Sequence, residues 1–112
     1  MLMPTQWWIA VAPMDLRGGM DRLWVAVQTV FGKTAQAGAA YVFRNRSGTR
    51  IKVLVVDDQG VWLCTRRLHE GRFMGPRPGE AFCALSAEQF AWLCAGVDWH
   101  RLSANKVFSQ RM

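Results

Sequence analysis

Apolar and polar positions change rhythm several times along the chain, and each change predicts an element. Trp7 to Ala12 is a β-rich apolar run closed by Pro13, which predicts a strand. From Met20 the spacing becomes helical: Met20, Leu23, Trp24, Val27, Val30 and Phe31 fall on one stripe. Asp15 is a candidate N-cap and Gly32 a candidate stop, while Gly18 and Gly19 weaken the first turn and favour a start after Asp15. A loop of small residues follows. Three strand-like runs then occupy Ala40 to Leu68, broken by Ser47-Gly48-Thr49 and by Asp57-Asp58-Gln59-Gly60, both with turn chemistry. They predict a three-stranded antiparallel meander.

Beyond the Gly- and Pro-rich "EGRFMGPRPGE", the stretch "FCAL" reads as one more short strand. Ser86 then opens a second helix, with a Ser86–Gln89 capping box, a Leu85–Phe90 staple and Gly96 as the stop. The fold class expected is α+β: a small single domain over residues 1–100 with an antiparallel β-meander, one helix after the first strand and one near the C-terminus. Residues 101–112 read as a frayed tail.

The meander carries an unusual charge pattern. "VFRNRSGTRIKV" places Arg44 and Arg46 before a Ser-Gly-Thr break, and Arg50 and Lys52 after it. Side chains alternate faces along a strand, so loop length decides whether these charges share a face. A two-residue loop would set the arginines of one strand beside the aliphatics of the next. An odd loop, such as a type I turn completed by a left-handed Gly48, would gather Arg44, Arg46, Arg50 and Lys52 on one face. Tyr41, Phe43, Ile51, Val53 and Val55 would then share the other. With an even second turn Arg67 joins the basic face and Trp62 the apolar one. The expectation is one open basic face, with both helices covering the opposite side.

Composition sharpens this reading. The net charge is +6, and eight of the fourteen Lys and Arg lie between Arg44 and Arg77, against Asp57, Asp58 and Glu70. Like charges opposite one another in a sheet cost up to about 1 kcal/mol per pair, so clustering them implies an anionic partner or a solvated outer face. Three distant cysteines, Cys64, Cys83 and Cys94, argue against a disulfide framework and for a reducing, cytoplasmic compartment, with each thiol a small core hydrophobe. No stretch approaches the roughly 18 apolar residues of a membrane span. No metal or other cofactor is expected: neither His69 nor His100 has partners at ligand spacing.

Candidate chemistry is sparse. Asp57-Asp58 reads as a turn rather than an acid–base pair. His69, inside "RRLHEGRF", could serve as a general base, but no nucleophile motif accompanies it, and a surface role is favoured. Trp62, Phe73 and Trp99 could stack on bases, although core packing is the better reading for Trp62. No catalytic residue is assigned.

Several segments together resemble a known family. "MDLRGGMDRL", then "YVFRNRSGTRIKVLVVDDQGVWLCTRRLHEGRF", then "LSAEQFAWLCAGVDWHR" are similar, in order and spacing, to the TnpB-type accessory proteins of bacterial insertion sequences of family sixty-six. The resemblance runs from about Ile9 to Arg101. It implies a non-catalytic part in transposition beside a separate transposase, with no catalytic residues to carry over. Arg17, Arg44, Arg46, Arg50, Lys52, Arg67 and Arg72 match basic positions typical of that family. The chain departs from the pattern at Gly18, where a basic residue is usual, at Met20, at Val56-Asp57-Asp58, and at Gly75, where an aromatic often precedes the proline.

The expected surface is therefore Arg44, Arg46, Arg50, Lys52, Arg67 and Arg72, contacting DNA phosphates or, alternatively, acidic side chains of the transposase. The same pattern also allows a homodimer through an edge strand, or through exposed tryptophans such as Trp7 and Trp99.

Overall fold

The computed structural model describes residues 4–32 and 36–101; of the expected tail at 101–112, all but Arg101 lies outside them. The elements run β1 (Gln6–Ala10), α1 (Met20–Phe31), β2 (Ala39–Arg44), β3 (Arg50–Val56), β4 (Val61–Arg67), β5 (Phe82–Leu85) and α2 (Ala87–Cys94), closed by a 3-10 turn at Trp99–Arg101. Both expected helices, the meander β2-β3-β4 and the short fifth strand are present.

The five strands form one sheet in the order β4-β3-β2-β1-β5. β1 pairs parallel with β2, a geometry that needs a crossover, and α1 supplies it. The other pairings are antiparallel.

The two helices cover opposite faces, which corrects the expectation that both lie on one. On one face α1 packs Leu23 and Val27 against Tyr41, Phe43, Leu54 and Val56, with Leu16 of the β1–α1 loop buried beside them. Phe31 closes this layer through ring contacts with Tyr41 (4.9 Å), Phe43 (5.7 Å) and Phe82 (5.3 Å). On the other face α2 packs Leu93 against Ile9, Ala40, Val42, Ile51, Val53 and Val55, with Phe73 and Trp99 buried in the same cluster. A sheet covered on both sides has no polar face to alternate with, so Ala39 to Phe43 are all buried.

Local signals explain the helix ends. α1 starts at Met20 with Gly19 as N-cap and no side-chain cap, and it stops where Gly32 turns to φ +95°. Asp15 is not its cap. Ser86 and Gln89 form the reciprocal capping box of α2. At the other end of α2 the Arg66 Nε donates to the Cys94 carbonyl at 2.6 Å, a cation on the negative end of the helix.

Candidate nucleic-acid interface

The β2–β3 turn sets the geometry of the basic residues. Asn45 to Gly48 make a tight turn, with the Gly48 amide donating to the Asn45 carbonyl at 3.1 Å and Gly48 itself left-handed at φ +73°. The Asn45 side-chain oxygen also accepts from the amides of Thr49 (3.0 Å) and Arg50 (3.1 Å), which holds Thr49 in the loop. The Asn45 amide meanwhile donates to the Arg50 carbonyl, so the loop between that pair has four residues. Gly48 behaves as expected, but the loop is one residue longer than the odd turn.

One residue moves every side chain to the other face. Arg44 stands opposite Ile51, and Phe43 stands opposite Lys52. Tyr41 and Phe43 therefore share the α1 face with Lys52 and Leu54, not with Ile51, Val53 and Val55. The expected single basic face is corrected accordingly: Arg44 leaves it.

The remaining cations converge. Arg50 pairs across the sheet with Arg67, and Lys52 with Thr65, on the α1 face and beyond the helix. Arg67 thus joins Arg50 and Lys52, as the even second turn required. Arg46 projects from the turn, and the β1–α1 loop brings Arg17. Together they line a groove of about 860 Å³ whose remaining walls are Met14, Asp15, Leu16, Asn45, Ser47 and Thr65. It lies at the carboxyl ends of β1, β2 and β4. Five cations and one carboxylate line it.

Asp15 is already engaged. Its carboxylate accepts from the Arg17 guanidinium at 2.8–3.2 Å and from the Arg17 amide at 2.9 Å, which holds it well below the usual carboxylate range. Lys52 Nζ reaches the Gly18 carbonyl at 3.5 Å. Arg46, Arg50 and Arg67 have no ion-pair partner among the described residues. Their charge faces the groove uncompensated.

Two of the expected site residues lie elsewhere. Arg44, half-buried on the α2 side, donates to the Val11 carbonyl at 2.9 Å, and burial pushes its pKa down. Its guanidinium fills the space that a side chain at residue 75 would take, so Gly75 is what lets it lie there. Arg72 is exposed and packs against the outside of the β2–β3 turn, where the next amide, Phe73, donates to the Gly48 carbonyl at 2.6 Å. Arg17 is the groove residue that strand patterning missed; only its family match pointed to it.

The aromatic and thiol expectations change too. Phe73 and Trp99 are core residues, the latter donating to the Met74 carbonyl at 2.7 Å, so Trp99 is no exposed docking side chain. Trp62 is 55% exposed on the face away from the groove, contrary to its expected core role, with its indole N–H on Asp57 at 3.0 Å. Cys64 is exposed rather than a core hydrophobe, whereas Cys83 and Cys94 are half-buried with thiol pKa values raised by burial. Asp57 accepts from the amides of Gln59 and Gly60 at 2.8 Å, so the acidic pair is a turn, as read. His69 is exposed. Among the described residues no group of three or more His, Cys, Asp or Glu side chains could hold a metal ion, and no helix is long and apolar enough to cross a membrane.

The comparison with known families decides the kinship: the model of the IS66 Orf2-like proteins, TnpB_IS66, matches residues 5–104. The chain belongs to the IS66 Orf2-like family. Two proteins of Sinorhizobium fredii (strain NBRC 101917 / NGR234) are similar to it. The uncharacterized protein y4hO is 40% identical over 92 residues, covering 82% of this chain and 80% of the relative. The uncharacterized protein y4jC is 31% identical over 99 residues, covering 88% and 85%. No solved structure matches the chain. Membership of the IS66 Orf2-like family implies an accessory role in insertion-sequence transposition.

Proposed function

We propose that this IS66 Orf2-like protein is a non-catalytic, cytoplasmic accessory factor that holds DNA by its phosphates in the groove between the β1–α1 loop and the β2–β3 turn. The observation that carries this reading is the convergence of Arg17, Arg46, Arg50, Lys52 and Arg67, with Asp15 the one carboxylate among them. Arg50 and Arg67 sit directly opposite each other. That pairing costs up to about 1 kcal/mol in the free protein and is relieved when a polyanion lies across it. Contacts of this kind fix register without reading bases, so sequence selectivity is not part of the proposal.

Fluorescence anisotropy against labelled duplex across a salt series tests it. Four to five phosphate contacts predict an affinity loss of about 100- to 500-fold between 50 and 200 mM salt. Arg50→Ala and Arg67→Thr should each flatten the logarithmic salt slope by about one, while Arg77→Ala, outside the groove, should not. Arg67→Thr should also stabilise the fold by up to about 1 kcal/mol, because it removes the cross-strand repulsion. Absence of duplex binding at low salt would defeat the DNA reading and leave the transposase as the partner of these arginines.

A further inference from the structure

β4 is an edge strand. It pairs with β3 along Val61–Arg67, and among the described residues no strand pairs with its other side. A seven-residue edge without proline presents a row of free backbone N–H and C=O groups to any incoming strand. Trp62, the exposed tryptophan, stands on this strand.

Charge along the edge is polarised. The acidic turn Asp57-Asp58 precedes the strand, and Arg66-Arg67 end it. Such charges guard an edge against an arbitrary strand. A second copy laid parallel would set arginine against arginine and aspartate against aspartate. A second copy laid antiparallel exchanges the ends. With a two-fold axis at Leu63, Trp62 of each copy stands opposite Cys64 of the other, and Val61 opposite Thr65. The Arg66-Arg67 end of each strand then lies beside the Asp57-Asp58 turn of the other copy, a gap that long side chains can span.

We propose that β4 is a homodimer interface, pairing antiparallel with β4 of a second copy to join the two five-stranded sheets into one. The edge is thus selective for its own kind: the charges that repel other strands complement an inverted duplicate. The two-fold axis is perpendicular to the sheet, so both α1 faces, and with them both basic grooves, lie on the same side of the joined sheet, at opposite ends of it.

Sedimentation equilibrium of the nuclease-treated, DNA-free protein at low salt reads this directly. The wild type should sediment at twice the chain mass at micromolar concentration. Asp58→Arg and Arg67→Asp should each weaken the dimer by about tenfold or more through like-charge juxtaposition. The double variant D58R/R67D, which exchanges one charge between the acidic turn and the basic strand end that face each other across the dimer, should recover most of that loss. Both side chains are exposed, so circular dichroism should show both single variants folded. A monomeric wild type at up to about 100 μM, where even a weak specific pair associates, would overturn the proposal. So would single variants that dimerise as well as the wild type, or folded singles whose losses simply add in the double.

Discussion

Arg44 and Arg50 look equivalent in the sequence, each an arginine flanking the same turn, yet they do different work. Arg50 faces the groove with no acidic partner among the described residues. Arg44 is desolvated on the other face, tied to the Val11 carbonyl, and pressed over Gly75. It fastens the end of β2 to the segment after β1. Arg44→Ala should therefore destabilise the fold by roughly 1–3 kcal/mol, the scale of a lost charged hydrogen bond with its acceptor left behind, without changing the salt slope of DNA binding. Denaturant unfolding beside the anisotropy series checks both halves. The departure at Gly75 becomes intelligible here, since an aromatic side chain at that position would have to displace the Arg44 guanidinium.

Elements were legible where local chemistry is self-sufficient. The helix stripe of α1, the Ser86–Gln89 box and the Asp57 turn all carry their own signals, and each is present. The β2–β3 register was not legible, because Thr49 can begin a strand or extend a loop. The Asn45 side chain decides by accepting from Thr49 and Arg50, a contact that exists only once the turn has formed. The Asp57 turn makes a prediction of its own. Its backbone and indole donors hold the Asp57 pKa below the ordinary carboxylate value. A depressed folded pKa gives stability that is present above the unfolded value, near pH 4, and is lost as the pH falls through the folded one. Asp57→Asn should thus lower the melting temperature at neutral pH, and the gap from wild type should close progressively below about pH 4. Thermal melts at several pH values measure that gap.

At the scale of the whole molecule, the sheet is covered on both faces, and this explains why the basic patch is a groove and not a face. The run Val53 to Val56, all buried, carried the clue: a strand with one wet face would alternate. With α1 and α2 taking the two sides, the cations that remain accessible on the α1 side are those past the end of the helix. There the β1–α1 loop adds Arg17, which no strand pattern could place. Fold class was thus readable in advance, and four of the six expected cations, Arg46, Arg50, Lys52 and Arg67, line the groove, whereas the division of the arginines between two faces needed the register. The most direct test of the account follows the arginine Nε–Hε resonances of labelled protein during titration with duplex DNA. Arg17, Arg46, Arg50 and Arg67 should shift and broaden together, while Arg44 and Arg66, bound to the Val11 and Cys94 carbonyls, stay in place. Unmoved groove resonances, or shifts confined to Arg72 and Arg77, would contradict it.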